Sequence, residues 1–313
     1  MGHVEEGRWV RADGFPSDRG GAYARPASKF RCTLGAQDVA AGRYHLYASY
    51  ACPWAHRTLI ARALGGLESA ISLSIVNPFM GEDGWTFAPA DGVIVDPIHG
   101  AEFLWQVYVA AQPDYTGRVT VPILWDRERN SIVCTGSRDI LRMLTTVSAT
   151  IGRASVELSP PALRERIDAV IDRNYDAINN GVYRAGFARN QESYEAAVVP
   201  LFAALDAWER ELEHQRFTCG DQLTEADICL FTTLVRFDAV YHGHFKCNVR
   251  RIVDYPNLWG FVRDVYQTPG VAATVRLDHI KQHYYRSHGH INPTRVVPVG
   301  PALDLDAPHG RGG

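Results

Sequence analysis

The stretch at residues 44–57 reads YHLYASYACPWAHR and decides the fold of the chain. Its first residues alternate between apolar and polar side chains, which predicts a β-strand. Pro53 suits the first turn of a helix, where its missing N–H is not needed. Apolar residues then recur at helical spacing until Gly65 and Gly66, which are predicted to end the helix. Cys52 therefore lies where a strand passes into the N-terminus of a helix.

Cys52 occupies a position that favours a thiolate. Free backbone N–H groups and the positive end of the helix dipole lie at a helix N-terminus, and both stabilise negative charge on sulfur. We interpret Cys52 as a reactive thiol, although cysteine is also a common small buried residue. A two-cysteine redox motif would carry its second cysteine at position 55, where this chain has Ala55. Cys52 can therefore form a mixed disulfide with a small thiol, but it has no local cysteine to resolve it.

The composition is that of an ordinary soluble globular protein. The 313 residues are enough for two domains, and the hydrophobic fraction of 46% is typical of that class. A formal net charge of −3 argues against a general polyanion-binding surface. We expect neither a signal peptide nor a transmembrane helix, because no apolar segment of the required length is present. The six cysteines are scattered without zinc-finger spacing, which predicts a protein of the reducing cytoplasm.

The order of the predicted elements changes at about residue 150. Residues 41–150 show βαβ followed by ββα, the arrangement of an α/β thioredoxin-like domain that would bind a thiol. Apolar stripes at helical spacing predict an all-α domain over residues 151–290. Residues 1–40 are predicted to form an extended N-terminal arm, and the proline-rich residues 291–313 a C-terminal tail.

Four local patterns add detail to this prediction. The thioredoxin-like context favours a cis bond at Val121-Pro122 over the commoner trans form. Thr224–Asp227 is typical of a helix capping box, and Asn179–Gly181 predicts a break in a helix. His279 and His283 lie four residues apart and could share a metal on one helix face. No nearby acid or thiol completes that set, so we expect no metal site.

Several longer stretches match one protein family. They are ACPWAHR (51–57), GWTF (84–87), VPILWD (121–126), NNGVYRAGFA (179–188), residues 230–248 and DHIKQHYY (278–285). On these residues the chain resembles the glutathionyl-hydroquinone reductases, the Xi class of glutathione transferases. The most specific match is VRFDAVYHGHFKCN at residues 235–248, and the resemblance spans nearly all of residues 40–300.

The resemblance implies both a fold and a reaction. It implies a thioredoxin-like domain followed by an all-helical domain, normally in a homodimer. The implied reaction is the reduction of glutathionyl-hydroquinones. Cys52 attacks the thioether sulfur, the hydroquinone leaves, and a second thiol resolves the mixed disulfide on Cys52. Glutathione, or a related thiol such as mycothiol, is then a co-substrate, while no metal, nucleic acid or membrane partner is expected.

Three residues are implied to hold glutathione. They are Trp85, the backbone of Val121, and Ser137, which lies at a predicted helix N-terminus suited to a carboxylate. The family has Glu-Ser where this chain has Gly136-Ser137, so the acid expected to face the γ-glutamyl ammonium is absent. Either Asp139 replaces that acid, or the natural thiol lacks the ammonium, as mycothiol does. We hypothesise a weakened use of glutathione.

Tyr183 and Tyr284 are implied to hydrogen-bond the quinol oxygens. From sequence position alone, Tyr183 is more typical of an aromatic at the edge of the core with its hydroxyl in water. Tyr284 and Tyr285 are equally typical of packing aromatics, and the choice between them stays open. Two other functions are alternatives to a glutathionyl-hydroquinone reductase. A conventional glutathione transferase or dehalogenase usually activates the thiol of glutathione with a serine or tyrosine hydroxyl, and the cysteine in that place disfavours this function. A non-catalytic ligand-binding protein of the same fold is disfavoured by the presence of Cys52 together with Tyr183.

Overall fold

The computed structural model describes residues 2–12, 29–34, 38–152 and 154–312. The chain divides into two compact units. The first unit takes in the described residues up to Ser155 together with Asp278–Val296, and the second takes in Val156–Leu277 and the described residues after Val296. The predicted helical domain of residues 151–290 differs from this division, because residues 278–290 group with the first unit. Within the described residues, no helix is long and apolar enough to cross a membrane.

The chain begins with a β-hairpin. Strand β1 (His3–Glu5) pairs in antiparallel fashion with strand β2 (Arg8–Val10). The two-residue turn Glu6-Gly7 has φ angles of 45° and 76°, the left-handed pair that matches the twist of a hairpin. The predicted extended arm therefore contains regular structure at residues 3–10, while residues 13–28 of that arm lie outside the described residues.

The core of the first unit is a four-stranded sheet. Its strands are β3 (Tyr44–Ala48), β4 (Ser72–Ile75), β5 (Ile123–Asp126) and β6 (Ser131–Cys134), in the spatial order β4-β3-β5-β6. Strand β3 is parallel to β4 and antiparallel to β5, and β5 is antiparallel to β6. Every residue of the central strands β3 and β5 is buried, as expected for strands covered on both faces. This sheet confirms the predicted thioredoxin-like fold, and the Val121-Pro122 bond is cis as predicted.

Three helices complete the main body of the first unit. They are α1 (Pro53–Leu64), α2 (Leu104–Ala111) and α3 (Ser137–Ile151). Helix α1 begins at Pro53 and ends at Gly65, as the sequence predicts. Helices α1 and α3 pack against each other. The N-termini of both helices carry residues that the resemblance assigns to the thiol site, Cys52 and Ser137.

The second unit is helical. Its α-helices are α4 (Arg164–Asn174), α5 (Gly181–Gly186), α6 (Gln191–Glu211), α7 (Glu225–Arg236) and α8 (Pro256–Gln267), and α9 (Leu277–Ser287) carries the chain back into the first unit. Short 3-10 helices occupy Pro161–Leu163, Ile252–Asp254 and Ala272–Thr274. The predicted capping box is present at α7, where the Asp227 carboxylate accepts from the Thr224 N–H at 2.8 Å.

Two α-helices of the second unit run into π-helical turns. Tyr175–Asn179 follows α4, and Phe237–Tyr241 follows α7. The break predicted at Asn179–Gly181 is therefore a widened turn of helix followed by α5, because Asn180 keeps helical backbone angles (φ −92°, ψ −23°). Turns of this kind are rare and often occur at functional sites.

A buried ion pair lies at the end of strand β5. Arg43 Nε and Nη2 donate to the Asp126 carboxylate at 3.0 and 2.6 Å, and the backbone N–H groups of Glu128 and Arg129 donate to its Oδ1 at 2.9 and 3.1 Å. Burial alone would raise the pKa of Asp126, but these hydrogen bonds outweigh burial and hold the pKa below its usual value. The ionised carboxylate therefore stabilises the fold at neutral pH, and this contribution is lost as the pH falls through the lowered pKa.

Replacing Asp126 with asparagine is expected to lower the free energy of unfolding by about 2–3 kcal/mol at neutral pH. The loss is smaller than for a pair deep in a core, because Glu128 remains within 3.3 Å of Arg43. Urea unfolding of parent and variant measures this difference, which should shrink as the pH falls below about 4. In the matched control Glu128→Gln, the lost carboxylate is largely exposed, so the cost should be about 0.5 kcal/mol or less. Equal losses in the two variants would contradict the assignment.

Candidate active site

Cys52 is the residue that precedes the first turn of α1. Its backbone is extended, and its carbonyl accepts the first hydrogen bond of the helix from the His56 N–H at 2.9 Å. The thiol is partly exposed, and Sγ lies 3.8 Å from the Val121 carbonyl oxygen. Pro53 starts the helix directly after Cys52, so the positive end of the helix dipole lies beside this residue. Cys52 therefore occupies the position before a helix N-terminus that the sequence predicts for it.

The other cysteines occupy different environments. Cys134, Cys219, Cys229 and Cys247 are buried, and Cys32 is exposed. Burial raises the pKa of Cys134 to about 11, and it also raises the pKa of Cys219 and of Cys247. These three thiols therefore resist ionisation at neutral pH. All six cysteines lie in the described residues, and all are free thiols.

Val121 lies in the segment that leads into β5. The preceding residue, Thr120, is held by Tyr108 of α2, whose hydroxyl donates to the Thr120 carbonyl at 2.9 Å and accepts from its N–H at 3.2 Å. Burial raises the pKa of Tyr108 to about 12, so the hydroxyl keeps its proton at neutral pH. The segment that brings the Val121 carbonyl to Cys52 is therefore fixed from α2.

Trp85 lies in a loop that packs against α9. Its indole is 7% exposed and stacks on the ring of His283, with centroids 4.7 Å apart and planes inclined by 19°. Nδ1 of His283 lies 2.9 Å from the Pro78 carbonyl oxygen, and because a carbonyl only accepts, Nδ1 carries the proton. One turn along α9, the Ser287 hydroxyl accepts from the Met80 N–H at 2.9 Å. Helix α9 therefore holds the loop at both ends of the segment between Pro78 and Trp85.

A second contact ties α9 to the neighbourhood of Cys52. Nε2 of His279 donates to the Asp91 carbonyl at 2.7 Å, and its ring meets the Tyr50 ring at 87° with centroids 5.5 Å apart. Tyr50 lies two residues before Cys52 in the chain. His279 and His283, considered above for metal binding, each use one ring nitrogen on a backbone carbonyl. Among the described residues, no group of three or more His, Cys, Asp or Glu side chains could hold a metal ion.

Tyr284 lies on α9 directly after His283. It is 1% exposed, and its ring contacts the rings of His283 and His288 at centroid distances of 5.2 and 5.3 Å. Tyr285 is only half-buried, and burial raises its pKa. The first unit thus contains Cys52, Trp85 and Tyr284 together.

Tyr183 belongs to the second unit, on α5. It is 9% exposed and lies in an aromatic cluster with Phe187, Tyr241 and Phe245, at centroid distances of 5.8, 6.0 and 5.6 Å. Tyr241 ends one of the two π-helical turns described above. A side chain at Gly186 would collide with Phe245, with the added carbon only 2.2 Å from its ring, so glycine allows this cluster to close.

Ser137 is the first residue of α3, and Gly136 precedes it as the N-cap. A Cβ atom added to Gly136 would lie 2.6 Å from Oδ2 of Asp139, so the Asp139 carboxylate fills the space that a side chain at 136 would enter. Arg31 holds this carboxylate from the other side, with Nη2 3.0 Å from Oδ2. The N-terminus of α3 therefore presents a carboxylate beside Gly136, although Gly136 itself carries none.

Two family models match the chain. The model described as "Glutathione S-transferase, N-terminal domain" matches residues 51–147, and the one described as "Glutathione S-transferase, C-terminal domain" matches residues 191–264.

Individual relatives match over nearly the whole length. Glutathionyl-hydroquinone reductase PcpF of Sphingobium chlorophenolicum is 52% identical over 306 residues, which cover 97% of this chain and 98% of PcpF. A solved Xi-class transferase from Natrialba magadii has a TM-score of 0.93 at 50% identity, covering 99% of this chain and 96% of its own. The chain belongs to the Xi class of glutathione transferases. This membership confirms the resemblance drawn from the sequence.

A third relative of this Xi-class transferase has been solved with glutathione bound. Glutathionyl-hydroquinone reductase YqjG of Escherichia coli (strain K12) is 50% identical over an alignment of 324 positions, gaps included, which covers 99% of this chain and 98% of YqjG. Its glutathione-bound structure has a TM-score of 0.88 and covers 99% of both chains.

Sequence reasoning missed the residues that support the site of this Xi-class transferase. The sequence analysis gives Tyr108 no role and considers His283 only as a metal ligand. Their contacts, of Tyr108 with Thr120 and of His283 with Trp85, join different elements of the fold and follow no sequence period. The spacing of His279 and His283 placed both on one face of a helix. That spacing was the sequence signal that this face of α9 contacts other parts of the fold.

Proposed function

We propose that this Xi-class transferase is a glutathionyl-hydroquinone reductase whose nucleophile is Cys52. The main support for this proposal is the sequence identity of 50% and 52%, over nearly the full chain, to two proteins named for that activity. The position of Cys52 at the start of α1 supports this proposal, because its partly exposed sulfur is accessible to the thioether of a small conjugate.

The reaction transfers the glutathionyl group to Cys52. The Cys52 thiolate attacks the thioether sulfur, so that an S–S bond forms and the bond from that sulfur to the aromatic carbon breaks. The aromatic carbon takes up a proton and leaves as the free hydroquinone. A second glutathione then attacks the mixed disulfide, releases glutathione disulfide and restores the Cys52 thiol. Over the cycle the ring carbon is reduced by two electrons, and the former thioether sulfur is joined to the sulfur of one free glutathione in a disulfide.

The first unit supplies the groups that we assign to the thiol co-substrate. The Val121 backbone pairs with the peptide of glutathione beside its reacting sulfur, since its carbonyl faces Cys52. Ser137 and the N–H groups of α3 receive the γ-glutamyl carboxylate, because a helix N-terminus favours negative charge. Trp85, held by His283, forms a wall of the pocket.

Asp139 is our candidate for the acid that faces the γ-glutamyl ammonium. The absence of a side chain at Gly136 leaves its carboxylate room beside the N-terminus of α3. Arg31, already paired with Asp139, is suited to the neighbouring carboxylate of the same amino-acid head group. Glutathione is therefore the proposed thiol, and mycothiol is the alternative to be tested.

Replacing Asp139 with asparagine is expected to raise the Michaelis constant for glutathione by about ten-fold, because the ammonium loses a charge-assisted hydrogen bond of about 1.5 kcal/mol. Steady-state kinetics with glutathione as the resolving thiol measure the change. The double variant Gly136→Glu/Asp139→Asn, which moves the carboxylate to the position the family uses, should recover most of the loss. Gly136→Glu alone should bring no gain, since its side chain would displace Asp139. An unchanged constant in Asp139→Asn, with mycothiol preferred by the parent, would show that the acid is misassigned.

The activity itself is tested with glutathionyl-menadiol as substrate. We expect release of menadiol and glutathione disulfide in equal amounts, with two glutathionyl groups accounted for in each disulfide. A conjugating transferase would instead join glutathione to an electrophile such as 1-chloro-2,4-dinitrobenzene and would leave the thioether of glutathionyl-menadiol intact. That second pattern would reject the proposal.

The remaining features follow the family. We propose a homodimer working in a reducing cytoplasm, with glutathione supplied as a free co-substrate and no metal. The free state of all six thiols agrees with a reducing compartment. Sedimentation of the purified protein tests the dimer.

A further inference from the structure

The N-terminal hairpin, β1 and β2, touches both segments that carry the proposed thiol contacts, the one before Trp85 and the one before Val121. We propose that this hairpin is a positioning element of the thiol site and that Trp9 is its main positioning residue. The inference rests on the proposed function, because it concerns how Trp85 is presented to the thiol co-substrate.

One strand of the hairpin is tied to the segment that precedes Val121. The Val4 N–H donates to the Gly117 carbonyl at 2.9 Å, and the Gly117 N–H donates to the Val4 carbonyl at 2.8 Å. The turn adds a bond from the Gly7 N–H to the Tyr115 carbonyl at 3.0 Å. Val4 is completely buried, so this end of the hairpin is an integral part of the first unit. These hydrogen bonds fix the position of the hairpin relative to the segment that precedes Val121.

The other strand lies against the loop that carries Trp85. Nε1 of Trp9 donates to the Glu82 carbonyl at 3.0 Å. The Trp9 ring covers Gly84, because a Cβ added there would lie only 2.8 and 3.1 Å from two of its ring carbons. Gly84 has φ of +78°, which other residues adopt only with strain. A glycine at this position thus permits both the backbone turn and the close approach of Trp9, immediately before Trp85.

Arg11 adds a weaker contact on the same loop. Its Nε and Nη2 donate to the two Asp83 oxygens at 3.0 and 3.1 Å. Both side chains are largely exposed, so solvent reduces the value of this pair. The main restraint from the hairpin is therefore the contact of Trp9 with Gly84.

The loop is thus held on two sides. Trp9 fixes the backbone immediately before Trp85, and His283 fixes the Trp85 indole by stacking. If Trp9 is removed, the backbone at Gly84 gains freedom, and the indole leaves its productive orientation for part of the time. The consequence is weaker binding of the thiol, with little effect on the chemistry at Cys52.

The experiment compares Trp9→Ala with the parent for binding of S-methylglutathione, measured by calorimetry, and for steady-state turnover. We expect the Kd for S-methylglutathione and the KM for glutathione to rise by about five- to ten-fold, while kcat changes by less than about two-fold, the pattern for lost ground-state binding. Trp9→Phe lacks both the outer indole carbons that contact Gly84 and the Nε1 donor to Glu82, so it should recover little of the affinity. Arg8→Ala, an exposed neighbour on β2, is the matched control and should behave as the parent.

A second variant reaches the same contact from the loop. Gly84→Ala should displace Trp9 and weaken binding to a similar extent. The double variant Trp9→Ala/Gly84→Ala should be no weaker than the worse single variant, since the two changes remove one shared contact. Equal affinities of parent and Trp9→Ala, or a Phe variant that binds as tightly as the parent, would overturn the proposal. The binding measurement needs no turnover, so it tests the role of the hairpin even in an inactive protein. A parent that binds S-methylglutathione but releases no hydroquinone would reject the proposed function and leave the role of the hairpin unaffected.

Discussion

Replacing Cys52 with serine is expected to abolish the release of menadiol from glutathionyl-menadiol, leaving no more than about 1% of the parent rate. The hydroxyl that replaces the thiol stays protonated at neutral pH and is a poor nucleophile toward sulfur. The start of α1 should keep its geometry, because Pro53 and the helix that follows are unchanged. The measurement is the initial rate of menadiol release in the presence of excess glutathione.

The exposed cysteine gives the matched control for this variant. Cys32→Ser also removes an accessible thiol, but Cys32 lies in the segment 29–34, away from the start of α1 in the chain. It should retain the parent rate. Binding of S-methylglutathione should survive in Cys52→Ser, which would show that the pocket is intact. Activity of more than a few per cent in Cys52→Ser, or a comparable loss in Cys32→Ser, would reject Cys52 as the nucleophile.

The second large effect is expected at the tyrosines. We propose that the hydroxyls of Tyr284 and Tyr183 bond the quinol oxygens. Tyr284→Phe and Tyr183→Phe should then each lower kcat by about a hundred-fold, because a positioned hydroxyl that assists proton handling contributes on this scale. Both substitutions keep the ring and therefore the packing, which at Tyr183 involves an aromatic cluster and at Tyr284 two histidine rings. Single-turnover rates of menadiol release isolate the chemical step from resolution by glutathione.

Tyr285→Phe is the matched control for Tyr284→Phe. The two residues are adjacent on α9, but Tyr284 is buried and Tyr285 is half-buried. The control should keep a rate close to that of the parent, and thermal unfolding of all three variants should stay near the parent's midpoint. Parent-like rates in both Tyr284→Phe and Tyr183→Phe would make these residues packing aromatics. A large loss in Tyr285→Phe alone would exchange the two assignments.

The parts of the site set by local rules could be predicted from the sequence. Pro53 marked the start of α1, and the strand before it fixed the position of Cys52 at the helix N-terminus. The thioredoxin-like order of elements led to the cis bond at Val121-Pro122, and the Thr224–Asp227 spacing led to the capping box. The start of α1 and the capping box depend on residues close in the chain, and the cis bond depends on the order of the elements around it.

The parts that depend on distant contacts could not be predicted. The stacking of His283 on Trp85 joins helix α9 to a loop about 200 residues earlier in the chain, and no sequence period connects the two. The hairpin at residues 3–10 is too short for its alternation to stand out, and its turn lacks the usual Asn-Gly or Asp-Gly signal. Its tie to Gly117 and Gly84 follows only from the three-dimensional packing. The grouping of residues 278–296 with the first unit has the same origin.

The acid side chain that the family carries at position 136 is absent here, and both the sequence and the structure bear on what replaces it. The sequence identified a missing acid and offered Asp139 as one replacement. The structure adds that the Asp139 carboxylate lies where a side chain at 136 would begin and that Arg31 pairs with it. A glutamate at 136 is therefore compatible with this packing only if Asp139 moves. This conflict between the two side chains is visible only in the structure.

The most direct test of the central claim is the intact mass of the protein after one turnover. The parent is mixed with glutathionyl-menadiol in the absence of free thiol, so that the mixed disulfide cannot be resolved. We predict the addition of one glutathionyl group for each menadiol released, located on the peptide that contains Cys52 and removed by a reducing agent. An unmodified protein that has nevertheless released menadiol, or an adduct on another cysteine, would contradict the mechanism.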